Sequence, residues 1–416
     1  MQLQGVICLR LPRNFSLSVM EKVSERLNRL SESQTLAMAR LSRELTAQGI
    51  DVISLSLGEP DFNTPDHVKE AAKKALDENI THYPPIAGFL ELRKAVSEKF
   101  KRENDLDYSP EQIVVSTGAK QSIANVVLSL IDKGDEVILL SPYWVSYLEI
   151  VKMAEGTPVM VKAGIESDFK VSAKQIEQAL TPKTRLIIFS SPCNPTGSVY
   201  SQSELEAIAE VVSKHERVLV LSDEIYEHIN FSGKTYSIGR CEVLKNRVIT
   251  VNGLSKAYAM TGWRLGFIGA PLWIAKACDK MQGQITSGTS TISQMAAIAA
   301  LNSPPSLTEG MTKEFHKRRD LCFELLSEIP GLKCNKPEGA FYFFPEISSY
   351  FGKSYQGKTI QNAEELCMFL LHEGHVATVS GDAFGEPNCI RLSYATSEAN
   401  LRKAIERIKS TLAKLS

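Results

Sequence analysis

At 416 residues, 43% of them hydrophobic, the chain is long enough for one large domain and a smaller one, each with its own core. Its 47 basic and 48 acidic residues leave a net charge of −1 with no long single-sign run, which argues against nucleic acid as a partner and for small-molecule chemistry. No apolar run reaches the length of a membrane span, and eight cysteines (Cys8, Cys193, Cys241, Cys278, Cys322, Cys334, Cys367, Cys389) without a C-x-x-C pair fit reduced thiols in a cytoplasmic protein better than disulfides or a zinc site.

The start, MQLQGVICLRLPR, has no positive charge ahead of its short apolar stretch and no small-residue cleavage site, so no secretory signal is read there. Residues 1–19 are read as an arm of unassigned role, ahead of a charged helical pattern (EKVSERLNRLSES) that opens after Met20. From about residue 66, helical patterns alternate with short apolar, β-branched runs: DHVKEAAKKALDE, QIVVS, KQSIANVVLSLI, DEVILLS and TPVMV. The rhythm continues through RLIIFS, SELEAIAEVVSKH, RVLVLSD, RVITVNG and LGFIGA. Such alternation predicts an α/β domain over 61–309, a mostly parallel sheet between helices with its ligand site beyond the carboxyl ends of the strands. After about residue 310 come a long charged helix (MTKEFHKRRDLCFELLSEI), an aromatic strand (AFYFF), a helix (NAEELCMFLLHEG), a strand (CIRLSY) and a last helix. Residues 20–60 and 310–416 are therefore read together as a smaller α+β domain.

Four polar clusters fall at or just after predicted strand ends: SPCNPTG at 191–197, SDEIY at 222–226, Ser255-Lys256, and GWR at 262–264. Singly each has a bland reading: a turn, a helix N-cap at Asp223, a surface lysine. Together they suggest a lysine, Lys256, whose partly desolvated setting near a cation lowers its pKa and makes it a nucleophile toward aldehydes. If that aldehyde is pyridoxal phosphate, the site needs a carboxylate for the pyridine nitrogen, partners for the ring oxygen and a phosphate cradle. Asp223 is the candidate carboxylate, Asn194 and Tyr226 the ring-oxygen partners, Ser255 and Arg264 phosphate ligands. STGAKQS at 116–122 adds a strand-to-helix turn, with Gly118, Ala119 and Lys120, whose free N–H groups suit a phosphate.

Over residues 20–416 the pattern resembles the class I, fold-type I aminotransferases that use pyridoxal phosphate, in particular the bacterial-type aspartate aminotransferases. The resemblance implies a seven-stranded sheet, a homodimer with shared active sites, and a ping-pong exchange between an L-amino acid and a 2-oxo acid. It implies that Lys256 carries the cofactor and that Arg264 meets its phosphate. In LGEPDF, Gly58 matches the loop that meets the substrate carboxylate; in THYPPIAG, Tyr83 matches the tyrosine that reaches the partner's phosphate site. Trp144 in SPYWVSY matches the aromatic residue on the cofactor ring, and Arg391 in CIRLSYA the arginine that grips the α-carboxylate. Lys120, with Ser33 and Thr35 in SESQT, matches residues at the distal carboxylate, which favours L-aspartate with 2-oxoglutarate. Aromatic, kynurenine, alanine-type and prephenate aminotransferases share the core motifs, and lyase or decarboxylase chemistry or a non-catalytic cofactor-binding protein is the reading from a different class. The plain alternatives are core packing for Trp144, a structural ion pair for Arg391, a turn for Tyr83 and a solvated lysine at 120.

His215, His228 and His316 show no metal-ligand spacing and are read as surface or packing residues. GKSYQGKT at 352–359 matches the P-loop pattern, but ISSYF separates it from the preceding strand, so no nucleotide site is read there.

Overall fold

Among the described residues, seven short runs rich in Val, Ile and Leu hydrogen-bond into one sheet: β1 (Ile113–Ser116), β2 (Glu136–Ser141), β3 (Thr157–Lys162), β4 (Thr184–Ser190), β5 (Leu219–Asp223), β6 (Val248–Gly253) and β7 (Gly266–Gly269). The computed structural model describes residues 23–416 apart from Lys234 and Pro305, so the arm read at 1–19 lies outside the described residues. The sheet order is β1-β7-β6-β5-β4-β2-β3. All neighbours are parallel except β7, which runs antiparallel to both β1 and β6.

Successive side chains of a strand point to opposite faces, and both faces here are covered, which is why these strands read as unbroken apolar runs. Val137, Leu139, Leu186, Ile188 and Leu221 pack with Ile123, Val127 and Ile274 from the helices Ala119–Leu130 and Leu272–Ile285. Their neighbours Ile138, Leu140, Ile187, Phe189 and Val220 pack on the other face with Leu205, Ile208 and Val212 of the helix Gln202–Ser213. Each such side chain, fully buried, contributes roughly 1.5–3 kcal/mol.

The reversed direction of β7 has a consequence for the site. Its register sets Gly266 opposite both Ser116 and Gly253, so the amino end of β7 shares an edge with the carboxyl ends of β1 and β6. Arg264, which enters β7, thereby reaches the same edge as residues that leave parallel strands. Glycine is required at Gly266, because a Cβ there would meet the Gly118–Ala119 backbone.

The carboxyl-terminal part holds an antiparallel sheet of Val379–Ser380, Ile390–Ser393 and Tyr342–Phe343, covered by the helices Ser306–Ser327, Ala363–Gly374 and Glu398–Leu412. Ile53–Ser54 pairs in parallel with Val376–Ala377, and Met38 of the helix Gln34–Ala47 joins the same apolar cluster as Phe315, Leu366 and Ile405. The early segment thus packs against the end of the chain.

Two local expectations change, and the rejected P-loop match takes a form of its own. The charged pattern expected to run from Met20 as one helix is, over the described residues, a single turn, Glu25–Asn28, capped by the Ser24 hydroxyl, followed after a break by Gln34–Ala47 with Ser33 at its N-cap. Serines there start helices rather than extend them. AFYFF contributes only Tyr342–Phe343 to the sheet. GKSYQGKT folds as a hairpin, Ser354–Tyr355 against Lys358–Thr359, with Gln356 and Gly357 at its turn, both at positive φ. No described helix is long and apolar enough to cross a membrane.

Candidate active site

The sheet edge defined by the ends of β1, β4, β5 and β6 opens into a cavity of about 340 Å³. Lys256, Asp223, Tyr226, Asn194, Arg264 and Arg391 all line it. So do Ser255, Ala119, Lys120, Trp144 and Gly58, together with Ser33 and Thr35 from the early segment. Two expected residues stand elsewhere. Gly118 lies behind Arg264 rather than on the cavity wall, and Tyr83 is 96% exposed at the surface of the subunit.

Lys256 follows β6 by three residues, and its Nζ donates a 2.6 Å hydrogen bond to the Gly58 carbonyl across the cavity. Burial lowers its pKa to about 8; Glu59 and Asp223 oppose that shift while Arg391 and Arg264 add to it. Asp223 ends β5 fully enclosed, where burial raises its carboxyl to about 6, even though Tyr147 Oη donates to its Oδ2 at 2.6 Å and the Ile225 N–H donates to its Oδ1 at 3.2 Å. A carboxylate in that setting is short of a cation.

Arg391 is 2% exposed. Its Nη1 donates to Asn194 Oδ1 at 3.0 Å and its Nη2 to the Ser56 carbonyl at 2.6 Å, while its buried Nε has no partner. No carboxylate pairs with it among the described residues. The reading of Arg391 as a structural ion pair therefore fails, and a buried guanidinium without a carboxylate partner lines the cavity. At the other end Arg264, at φ 57, bonds the Thr261 carbonyl through Nη1 at 2.9 Å, and a Cβ on Gly118 would come within 2.5 Å of its Nη2. Gly118 itself has φ +86, so glycine serves both the turn and the close approach of the guanidinium. Lys120, in the first turn of its helix, sits with Nζ 5.0 Å from the Trp144 ring centroid, and burial, then Arg264, lowers its pKa. Lys120 is thus an exposed cation that lines the cavity beside the Trp144 ring, so the solvated-lysine reading is not overturned.

Residues that sequence reasoning missed complete the wall. Tyr147, on the helix that follows Trp144, holds Asp223 and packs edge-on against Trp144 with centroids 5.5 Å apart. Its three-residue spacing from Trp144 at a helix entry was the available signal. Tyr342, hidden in the aromatic run, reaches the cavity from the small sheet and hydrogen-bonds Tyr226 at 2.7 Å. Outside the cavity, His228 is not merely a packing residue. The fold brings it to Glu103 and Glu227 with ligand atoms within 4.8 Å, but the Lys99 ammonium pairs with both carboxylates and already meets their charge.

The cavity therefore carries four basic side chains, Lys120, Lys256, Arg264 and Arg391, against one lining carboxylate, Asp223. That donor set fits a phosphorylated aromatic aldehyde with a ring nitrogen, plus an acidic co-substrate: an amine of lowered pKa, a carboxylate short of a cation, a cradle at Ala119, Ser255 and Arg264, and a guanidinium with no carboxylate partner.

Comparison with known proteins shows the family. The family described as aminotransferase class I and II matches residues 50–408. A relative from Petunia hybrida, named bifunctional aspartate aminotransferase and glutamate/aspartate-prephenate aminotransferase, is 49% identical over 94% of this chain and 82% of its own length. The crystal structure of the aspartate aminotransferase from Rhizobium meliloti superposes with a TM-score of 0.91 at 43% identity, over 95% of this chain and 100% of that one. The aspartate aminotransferase from Thermus thermophilus with maleate follows at 0.88 and 41%, covering 94% and 100%.

Proposed function

The chain belongs to the class I and II aminotransferases, and from that premise we propose that it moves the amino group of L-aspartate to 2-oxoglutarate, using pyridoxal phosphate held at Lys256. The observation that carries the acidic substrate is Arg391: a guanidinium 2% exposed, with an unpartnered Nε, in the same cavity as Lys120. Two cations lining one cavity suit a substrate with two carboxylates, and maleate in the Thermus thermophilus structure is a dicarboxylate too.

Pyridoxal phosphate, when bound, supplies an aldehyde that carries the amino group and a ring that takes up the electrons left at the substrate's Cα. The side chains hold and orient. Arg264, Ser255 and the helix start at Ala119 would hold the phosphate, with Gly118 making room for Arg264, and Asp223, kept in place by Tyr147, would pair with the ring nitrogen. Asn194 and Tyr226 would meet the ring oxygen, with Trp144 beside them on the cavity wall. Arg391 fixes the α-carboxylate beside Gly58, while Lys120, with Ser33 and Thr35, meets the distal one. Lys256 Nζ, once free, takes the proton from Cα, a positioned transfer that contributes roughly 10²–10⁴-fold.

A homodimer completes the proposal. Tyr83 projects from the subunit and would reach the phosphate site of a second copy. Prephenate, named for the Petunia relative, is a second candidate oxo acid because it also carries two carboxylates.

The test is the near-ultraviolet spectrum of the purified, cofactor-loaded protein with L-aspartate and no oxo acid. The pyridoxal band should give way to a pyridoxamine band, and 2-oxoglutarate should restore it. A band indifferent to aspartate but responsive to aromatic amino acids or alanine would discard the acidic substrate, and no cofactor band would discard the cofactor. Adding prephenate to the pyridoxamine form tests the second oxo acid.

A further inference from the structure

Tyr342 connects the two ends of the cavity. It is 1% exposed, on the strand that pairs with the one bearing Arg391, Ser393 being opposite it. Its hydroxyl lies 2.7 Å from that of Tyr226. Its ring carries the Arg391 guanidinium, 4.6 Å from the centroid, while Phe384 flanks the same guanidinium at 4.8 Å. A Cβ on Gly58 would fall on the Tyr342 hydroxyl, so the Gly58 loop closes directly over that oxygen. One side chain therefore touches the candidate ring-oxygen partner, the candidate carboxylate grip and the substrate loop.

The direction of the tyrosine pair follows from counting hydrogens. Each hydroxyl has one proton to give. Among the described residues Tyr226 is the only hydrogen-bond partner of the Tyr342 hydroxyl. If Tyr226 gives its proton to an acceptor in the cavity, the Tyr342 proton must be the one between the two oxygens. The two O–H dipoles then align, and each strengthens the other. Burial, and after it Tyr342, holds the Tyr226 phenol well above its ordinary pKa, so Tyr226 stays a donor at neutral pH.

We propose that Tyr342 is a positioning residue for transamination: through Tyr226 it strengthens the hydrogen bond to the cofactor's ring oxygen, and through its ring it aims Arg391 at the substrate carboxylate. This rests on the function proposed above.

Two variants of the cofactor-loaded protein separate the two actions. Tyr342→Phe keeps the ring and removes only the proton given to Tyr226. A weaker donor leaves the cofactor's ring oxygen more basic, so the pH at which the bound cofactor's absorbance changes should move upward by about one unit, with KM for L-aspartate nearly unchanged. Tyr342→Leu removes the ring as well, and KM for L-aspartate should rise roughly tenfold, the scale of a buried cation–π contact. A Tyr342→Phe spectrum that titrates with the parent's overturns the coupling to Tyr226. A parent-like KM in Tyr342→Leu overturns the support of Arg391. A parent that itself shows no cofactor band, or one unmoved by aspartate, overturns the functional reading and this proposal with it, a pattern distinct from a normal parent with silent variants.

Discussion

In the proposed reaction the chemistry hinges on one amine whose properties are set by burial. Lys256 is enclosed, and enclosure penalises its charged form, so it gives up its proton near pH 8 where a solvated lysine holds it to about 10.4. At pH 7 about one molecule in ten then carries a neutral amine there, against about one in several thousand for an ordinary lysine. Only the neutral amine attacks an aldehyde. The rate at which cofactor-free protein captures pyridoxal phosphate should therefore climb about tenfold per unit below pH 8 and level off above it. Stopped-flow absorbance between about pH 6 and pH 10 reads this directly; a rate still climbing at pH 10 would show that burial does not control the amine. Lys256→Ala should keep the phosphate contacts and bind cofactor non-covalently, yet lose turnover by at least roughly 10²–10⁴-fold, and steady-state assays at saturating aspartate would check it. Asp223 works in the opposite sense: burial raises its carboxyl to about 6, which favours a ligand that brings a positive nitrogen.

At the scale of elements, the turn that follows β5 faces two ways. Asp223 and Tyr226 point into the cavity, while Glu224 and Glu227 point into a closed polar network beneath it. There Lys99 Nζ donates to Glu227 and, at 2.7 Å, to Asn104 Oδ1. Asn104 Nδ2 in turn donates to Glu227 and Glu224, Asn252 Nδ2 to Glu227 at 2.7 Å, and the Ser222 and Ser237 hydroxyls to Glu224 at 2.9 and 2.6 Å. Asn104 gets there because the helix Leu90–Lys99 ends in a π-turn, Phe100–Asn104. Burial, then Glu227, raises Glu224 to about 8, whereas Glu227 is held low against its own burial by Lys99. Glu227→Gln leaves the buried Lys99 ammonium with Glu103 alone, at 3.6 Å, and should be destabilising in urea unfolding at neutral pH by less than the roughly 3–5 kcal/mol of a wholly unpaired buried charge. Glu224→Gln should differ. The folded protein binds a proton at Glu224 that the unfolded chain has released, so the parent loses stability as pH rises from about 4.5 toward 8, and the variant lacks that loss. Equal pH slopes for parent and variant would refute the assignment of the proton to Glu224. None of this network was visible in the sequence. Lys99 and Glu227 are 128 positions apart, and Tyr226 and Tyr342 are 116 apart. What could be read were runs with a local cause: apolar strands covered on both faces, and polar residues at strand ends such as Asp223 and Lys256.

At the scale of the whole molecule, Tyr83 is the residue that a single subunit does not explain. It is 96% exposed, yet its loop is held firmly: a Cβ on Gly288 would meet Pro84 at 2.6 Å, and one on Gly283 would meet Ile86 at 2.9 Å. A large aromatic side chain projecting from a fixed loop, with the exposed Ile285 on the helix that this loop packs against, is the composition of an interface rather than of a solvated surface. In a two-fold dimer the same patch meets itself, and in the arrangement proposed above each Tyr83 would serve its partner's cavity. That arrangement can be tested by complementation. Tyr83→Ala should weaken cofactor binding by roughly 10–100-fold, the worth of a hydrogen bond to a charged phosphate, and at limiting cofactor it should have little activity. Lys256→Ala has none. In a hybrid dimer the site built around the intact Lys256 of one subunit receives the intact Tyr83 of the other, while the second site carries both substitutions. Unfolding and refolding equal amounts of the two variants together should then restore about a quarter of parental activity, since half the dimers are hybrids with one good site of two. If Tyr83 served its own subunit, every site in the mixture would still carry a defect, and activity would stay at the average of the two inactive parents.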